Sequence, residues 1–500
     1  MNSFKTSIKG DNLKWWILVT VIIGTFLGRL DQTIVNLALP KIIADFKITV
    51  SAAGWIATAY ILANAIFVPI WGKLGDTIGR KKVYITGFVI FIIGSILAGL
   101  SWNLSSMIVF RIIQAIAGSA DYPTAMAILA VTFREGKERA QALGLWSASF
   151  AAAAVFGPLI GGPLIDSFGW RSVFLVNLPV GLIGLLMALN FIRESVSDKK
   201  TKRFDWWGAI TLGGALSFLV LVLDQGISWG WLSGNSFLCY GAMAIFFVAF
   251  LFVEKKHEDP IIDFKFFKIP AFVNTLSNNF IVFMGMMGGV FLIPIFAQTF
   301  LGYNATQTGY LFMPMAAAIM IASPLGGSLT GKVEPRYVIA LSTLVAGIGL
   351  YFFSYLDPRS TAIDIIWPLA LMAFGLGFGM AQRTNIIAAV VPAEEIGIAS
   401  SILALARNVA GAFGIAVFST ILTKTTESKV MEIVKNSSFH ITNPADWGKA
   451  VELVILKAQV SAYDLVFVVA AIILFFGAVT SFWIKISRKQ MASAGEVMVE

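Results

Sequence analysis

The sequence predicts an all-α integral membrane protein of fourteen transmembrane helices, and three observations carry that expectation. Hydrophobic residues make up 57% of the 500 residues and charged residues only 13%. A soluble domain carries roughly 25% charged residues, so this chain cannot cover a water-facing surface. The apolar residues fall in long runs, and a bilayer core needs about 20 of them as a helix. The charges fall in short clusters between the runs, as orientation signals do. That placement argues against a nucleic-acid surface despite the net charge of +9. A soluble enzyme, a coiled coil and a disordered regulator are excluded.

Taken in order, the runs lie near 15–39, 52–71, 83–100, 105–131, 140–164, 172–192, 206–224, 236–253, 271–301, 307–330, 337–355, 364–391, 397–423 and 463–484. The first opens at Trp15 without a small-residue cleavage site, so it reads as a span rather than a cleaved signal. The even count puts both termini on one side. With the termini inside, 24 of the 37 Lys and Arg lie in inside segments and 9 in outside loops, and five of those 9 lie in the polar stretch 424–462. The asymmetry predicts a multi-pass protein with both termini cytoplasmic. A basic run, Lys199 to Arg203, and a polar stretch, Glu254 to Lys268, bracket spans seven and eight. The expected division is a six-helix bundle over 1–198, two inserted helices over 199–262, and a second six-helix bundle over 263–500 that carries an extracellular loop at 424–462. The runs Gly72 to Arg80 (GKLGDTIGR) and Gly327 to Arg336 (GSLTGKVEPR) follow the second helix of each half. They are a weak echo of duplication, the second copy lacking the aspartate of the first. Duplicated halves bind substrate between them near the midplane.

Other features carry little chemistry. Cys239 lies alone in an apolar run, so no intramolecular disulfide forms. His257 and His440 sit in polar connections and are too few for a metal site. No phosphate-binding loop is present; Gly375, Gly377 and Gly379 lie inside an apolar run, where close helix packing explains them. No cofactor, metal or nucleic acid is expected, and the chain is expected to work as a monomer among membrane lipids.

Ionisable residues inside spans are costly and are functional candidates by default. Counting along the helices at 1.5 Å per residue puts Asp31 of span one and Arg111 of span four at similar depth below the outer edge, where they can meet. The functional reading is a carboxylate that takes a proton from outside, set by the arginine and by desolvation. The alternative is a fixed ion pair that holds the two spans together. At 100° per residue, Arg111, Gln114 and Asp121 share a face, with Tyr122 beside it. Asp121 lies about 15 Å deeper than Arg111. Arg29 is on the opposite face from Asp31. Tyr60, Trp146 and Trp55 form a candidate aromatic cavity for flat cations, packing or lipid-facing roles being the alternative.

Four motifs give the chain a resemblance. They are Leu30 to Pro40 (LDQTIVNLALP), Gly72 to Arg80 with Lys81 and Lys82, Arg111 to Gln114 (RIIQ), and Gly157-Pro158 with Gly161-Gly162. In this order and on these spans, they resemble the fourteen-helix drug:proton antiporter branch of the major facilitator superfamily. Trp229-Gly-Trp231 and Arg407 also resemble that branch. The resemblance implies two six-helix bundles plus two inserted helices in a bacterial-type plasma membrane, and export of small lipophilic compounds against inward-moving protons by alternating access. It implies gating roles for Gly72, Asp76, Gly79, Arg80, Gly157, Pro158, Gly161, Gly162 and Arg407. Asp121 and Arg383 are departures, standing where relatives tend to carry an apolar residue and proline. If spans four and twelve line the cavity, these two lie at similar depth. They are expected to pair across the inner gate, to form a permanent ion pair, or to leave Arg383 as a receptor for an anionic substrate. The expected proton-coupling residues are Asp31, Asp121 and Arg111. The expected cavity residues are Gln114, Tyr122, Arg383, Tyr60 and Trp146. Spans ten and thirteen lack carboxylates, which disfavours dicationic substrates. Two alternatives remain: an exporter of an endogenous amphiphile such as a fatty acid or lysolipid, and a non-transporting membrane receptor or scaffold on the same fold.

Overall fold

The computed structural model describes residues 10–133, 136–195, 205–257, 260–262, 264–391, 396–436 and 445–486. Each of the fourteen apolar runs is a helix or a broken helix. The first half comprises α1 (Gly10–Phe46), α2 (Val50–Ile78), α3 (Arg80–Gly99), the broken pass α4 (Leu104–Gly118) and α5 (Asp121–Thr132), α6 (Gly136–Phe168), and the broken pass α7 (Ser172–Leu175) and α8 (Asn177–Phe191). Two helices follow, α9 (Trp206–Trp229) and α10 (Gly234–Lys256). The second half comprises α11 (Pro270–Phe300), the broken pass α12 (Ala305–Leu311) and α13 (Met313–Gly327), α14 (Pro335–Phe352), α15 (Ala362–Val390), α16 (Ile396–Asn436) and α17 (Ala445–Thr480). Among the described residues twelve of the passes are long and apolar enough to cross a membrane; α6 and α9 are the other two.

The three breaks share a cause. Pro123, Pro179 and Pro314 each stand two or three residues into the second piece of a broken pass. Proline has no N–H to give the carbonyl four residues back, and its ring crowds that carbonyl. The break at Ser119–Ala120 falls where the sequence pattern implied one continuous helix. Asp121 opens the second piece and, like Arg111 and Gln114, is turned toward α1, where it bonds Thr25.

The stretch 424–462, expected as a loop, is largely helix. Helix α16 runs on to Asn436 and α17 starts at Ala445. Ion pairs at i,i+3, Lys424–Glu427 at 2.7 Å and Lys429–Glu432 at 2.8 Å, line its exposed surface and support a helix in water. Low hydropathy marked the end of the lipid-facing part, not the end of the helix. His440 lies outside the described residues.

The apolar core is organised by face. On the face away from the termini, one cluster runs across both halves, joining Ile34 and Leu39 of α1, Ile56 of α2, Phe291 and Phe296 of α11, Phe418 of α16 and Phe467 of α17. Toward the termini the core divides. One cluster, with Val21, Phe88, Leu129 and Trp146, belongs to the first half alone. Another, with Phe272, Ile387 and Leu403, belongs to the second. Polar and close contacts between the halves gather on the far face. Asp166 at the end of α6 accepts from the backbone N–H of Ala305 at 3.1 Å and of Thr306 at 2.9 Å, and from the Thr306 hydroxyl at 2.6 Å. It thereby satisfies the free N-terminal donors of α12 in the other half. Gln298 donates to the Leu37 carbonyl at 2.9 Å. Helices α9 and α10 pack on each other, and α9 also leans on α2 and α16, one helix from each half. Leu216 of α9 packs there with Leu62, Ala412 and Ala416.

The glycines of α6 set its seat in this arrangement. A Cβ on Gly161 would meet Ile34 of α1 at 2.8 Å, and one on Gly162 would strike the Thr306 backbone. Gly162→Val is therefore expected to cost the closed far face about 1–3 kcal/mol by overpacking. The electron–electron resonance distance between spin labels at Leu100 and Tyr355, both exposed on that face in opposite halves, should lengthen relative to the parent.

Candidate functional site

The first constellation is built around one carboxylate. Asp31 is 0% exposed and Arg111 2% exposed. The Arg111 guanidinium donates to Asp31 Oδ2 at 2.5 Å and to Gln114 Oε1 at 2.6 Å. Gln114 in turn donates to Asp31 Oδ1 at 2.8 Å and to the Ser95 hydroxyl at 2.6 Å. Asn177 donates to the same Asp31 oxygen at 2.8 Å. The Arg111 guanidinium carbon lies 3.9 Å from the centre of the Tyr60 ring, and Phe174 closes the other side at 5.7 Å. A buried ion pair is tolerable when further hydrogen bonds satisfy its remaining polar atoms; α4 and α8 supply them for Asp31, while Arg111 Nε has no hydrogen-bond partner among the described residues. The expected meeting of Asp31 with Arg111 is present. Ser95, Asn177 and Phe174 were not anticipated. The signal for Asn177 was a lone amide in an apolar run; Ser95 and Phe174 are ordinary helix residues whose roles come only from packing.

The second constellation lies toward the termini. Asp121 accepts from the Thr25 hydroxyl at 2.7 Å, and the Trp146 indole N–H donates to that hydroxyl at 2.9 Å. Arg29, one turn along α1 from Thr25, acts on Asp121 electrostatically and donates to Gln32 at 3.3 Å. This explains an arginine set on the opposite face from Asp31. The Tyr122 ring packs at 5.4 Å from Trp146.

In the second half, Arg383 does not line the space between the halves as expected. It is 2% exposed and donates to Asn278 of α11 at 3.0 Å and Thr343 of α14 at 2.7 Å. The structure does not bring it to Asp121, which bonds Thr25 instead. Gly379, one turn earlier on α15, leaves the room its side chain needs: a Cβ there would meet Arg383 Nη1 at 2.7 Å. Arg407 donates to Asn279 at 3.2 Å and Thr384 at 3.4 Å and lies over Phe283. Of the expected cavity residues only Tyr122 is exposed, at 40%; Gln114, Tyr60, Trp146 and Arg383 are packed inside the bundles. Their polar ends found partners within their own half, which sequence spacing does not reveal.

The expected gating motif between α2 and α3 is a turn built on Gly79. Its φ of +114° suits glycine, and the Glu194 carboxylate sits against its α-carbon. Glu194 accepts from the backbone N–H of Lys81 at 3.0 Å and of Lys82 at 3.3 Å. It is the anion at the N-terminus of α3 and was not foreseen, being one of many loop acids. Arg80 points its guanidinium at the Ala127 carbonyl, 3.4 Å away. Gly72 lies against Pro123. The Asp76 side chain lies outside the described residues. In α6, Gly157 seats Thr33, while the Pro158 carbonyl lies 2.5 Å from where a Cβ of Gly309 would be.

The chain was compared with known proteins. A profile of the Major Facilitator Superfamily matches residues 21–415. The multidrug transporter protein MdtP of Bacillus subtilis is 33% identical over 84% of this chain and 77% of that protein. The multidrug resistance protein Stp of Mycobacterium tuberculosis is 31% identical over 81% of this chain and 75% of that protein. The riboflavin transporter RibZ of Clostridioides difficile is 32% identical over 81% of this chain and 88% of that protein. A bacterial homolog of the human lysosomal transporter Spinster, solved inward-facing and unoccupied, shares the fold with a TM-score of 0.67 at 18% identity, over 95% of this chain and 99% of that one.

The buried network makes a stability expectation. Arg111→Leu leaves Asp31 uncompensated and should cost about 3–5 kcal/mol. The double variant Asp31→Asn, Arg111→Gln should recover most of that loss, because it leaves no buried charge. Thermal unfolding of the detergent-purified variants checks both.

Proposed function

The chain belongs to the major facilitator superfamily, and on that footing we propose that it exports small lipophilic compounds in exchange for inward-moving protons, by alternating access. One observation carries the coupling: Asp31, a fully buried carboxylate, is held by Arg111 on the helix that closes the far face. On α1 the residues that follow Asp31 reach the seam. Thr33 and Ile34 seat the glycines of α6, and the Leu37 carbonyl takes the bond from Gln298. Protonating Asp31 removes its charge and loosens its hold on Arg111. The strain passes along one rigid helix to the closed face. A group with two charge states then biases two arrangements of the halves.

In this proposal the conformation is inward-facing: the continuous core and the Asp166 cap lie on the outer side, and the divided core faces the cytoplasm with both termini. The protein sits in the plasma membrane and functions as a monomer. Its units are the bundles 1–198 and 263–500, joined by the helices within 199–262. Substrate enters between the bundles near Tyr122 and Arg407. The names of the relatives support lipophilic drugs as the substrate class.

A second reading is supported by the charges of the second half. The partners of Arg383 and Arg407 are amides, hydroxyls and a ring, with no carboxylate bonded to either among the described residues. An acidic or electron-rich head group would be attracted to Arg407, Arg383 being buried within its own bundle. This favours an endogenous amphiphile over a cation, and the riboflavin transporter among the relatives shows that substrates other than drugs occur on related chains.

Energised inside-out vesicles test the proposal with a pH-sensitive dye. Lipophilic cations, neutral drugs and lysolipids are added in turn. Substrate-dependent proton release is expected from the parent and should fall by about a hundredfold or more in Asp31→Asn, the loss typical of a group that must carry a proton. Undiminished release in that variant contradicts the assignment.

A further inference from the structure

A narrow cavity lies inside the first bundle, between α1, α3 and the broken pass α4–α5. It is lined by Gly24 and Gly28 of α1, Tyr84 and Phe88 of α3, and Gly118 and Asp121 of the broken pass, among others. Its position in sequence places it between the two carboxylates. Gly28 is three residues before Asp31, and Gly24 adjoins Thr25, the partner of Asp121. On the other wall Gly118 stands four residues after Gln114 and three before Asp121. The space accepts water-sized molecules.

The inner end carries an acceptor with capacity to spare, and a second such acceptor lies in the Asp31 network beyond the outer end. Asp121 Oδ1 is shielded from solvent and has no hydrogen-bond partner among the described residues, and the same holds for Asn177 Oδ1 in the Asp31 network. A Cβ added at Gly24 would touch Asp121 Oδ1 and the Tyr84 hydroxyl together, so both aim into the same space. A buried water needs two to four polar partners. Asp121 Oδ1 and the Tyr84 hydroxyl provide them at the inner end; the outer end stops at Gly28 and Gly118, and the path needs water to pass from there to Asp31, one helical turn beyond Gly28. The middle is walled by Phe88 and Phe91, which permits a transient file of waters rather than a standing one.

We propose that this cavity is a proton path from Asp31 to Asp121, separate from the space between the halves through which substrate moves. Resting on the antiport reading, it gives that reading a second titrating residue and a route. A proton taken up by Asp31 leaves its carboxyl for the water file as the Asp121 carboxylate accepts one from the other end. The net charge of the bundle is unchanged in the step. Thr25, with Trp146 behind it, and Arg29 hold the Asp121 carboxylate in place to receive the proton. Tyr84 faces it from α3. The route requires small residues at the helix surfaces, which gives the glycines at 24, 28 and 118 a task beyond packing. A Cβ on Gly28 would meet nothing within 4 Å, so alanine fits here without touching its neighbours, and the exchange readout below reports whether leucine does.

The test uses the full chain in proteoliposomes with tritiated tetraphenylphosphonium as the probe and two readouts. One is proton movement driven by the probe. The other is exchange of labelled for unlabelled probe at equal pH on both sides, which needs both conformations but no net proton transfer. Gly28→Leu and Asp121→Asn should each lower proton movement by about tenfold or more while exchange stays within about twofold of the parent, the selective loss expected when only a proton-carrying group or path is removed. Gly28→Ala should fall between parent and Gly28→Leu. Proton movement retained in both Gly28→Leu and Asp121→Asn overturns the path. An equal fall of both readouts in these variants also overturns it, since that is the signature of damaged packing. A parent that exchanges the probe but moves no protons refutes the antiport reading itself, and the path with it.

Discussion

A charge within a bilayer has no water to solvate it, so its partners must come from the protein. Around Asp31 this requirement organises the whole first half. The carboxylate on α1 draws Arg111 and Gln114 from α4 and Asn177 from α8, and Ser95 of α3 bonds the amides that hold it. Tyr60 of α2 lies against the guanidinium. Five helices therefore meet at one ion pair. Since α1 continues from that pair into the seam with α6 and α11, the most constrained electrostatic contact is also the one mechanically linked to the closed face. A fixed ion pair and a coupling site are not exclusive alternatives in this geometry: the pair can organise the bundle while charged and release it when protonated.

How much of this was legible in the sequence differs by the kind of interaction. The fourteen passes follow from apolar length, a local property, and the depth count along two helices put Asp31 and Arg111 together. The same counting put Asp121 on one face with Arg111 and Gln114, and it too reaches α1, at Thr25. The irregular step at Ser119–Ala120 was not foreseen, although Pro123 was in plain sight and has no N–H for the Ser119 carbonyl. The outer helices 424–436 and 445–462 were read as loop because hydropathy reports lipid exposure and not helicity. Glu194 and Asp166 were invisible for another reason. Each is an ordinary loop or helix-end acid, and its value lies in the helix N-terminus that tertiary folding brings to it. Gly162 and Gly79 were singled out by motif, but what they admit, the Thr306 backbone and the Glu194 carboxylate, was not.

The halves differ in charge. The first holds its acids, Asp31 and Asp121, in the interior with Arg111 and Arg29 beside them. The second holds Arg383 and Arg407 among neutral donors and acceptors. In the proposed antiporter, proton chemistry belongs to the first bundle and electrostatic attraction for substrate to the second. The fold itself does not choose the substrate; in the proposed transporter that choice rests on side chains exposed between the halves, such as Tyr122. Of the inserted helices, α9 leans on both α2 and α16 and α10 packs on α9, so the proposed relative motion of the halves would be felt at α9.

The central claim is that Asp31 changes protonation during transport. Infrared difference spectroscopy of the purified protein, with and without a transported compound, reads carboxyl protonation directly. The account predicts that substrate shifts the balance between a protonated-carboxyl band and a carboxylate band, and that Asp31→Asn removes that difference while the remaining spectrum is retained. An unchanged carboxyl signal on binding a compound that the parent transports would contradict it.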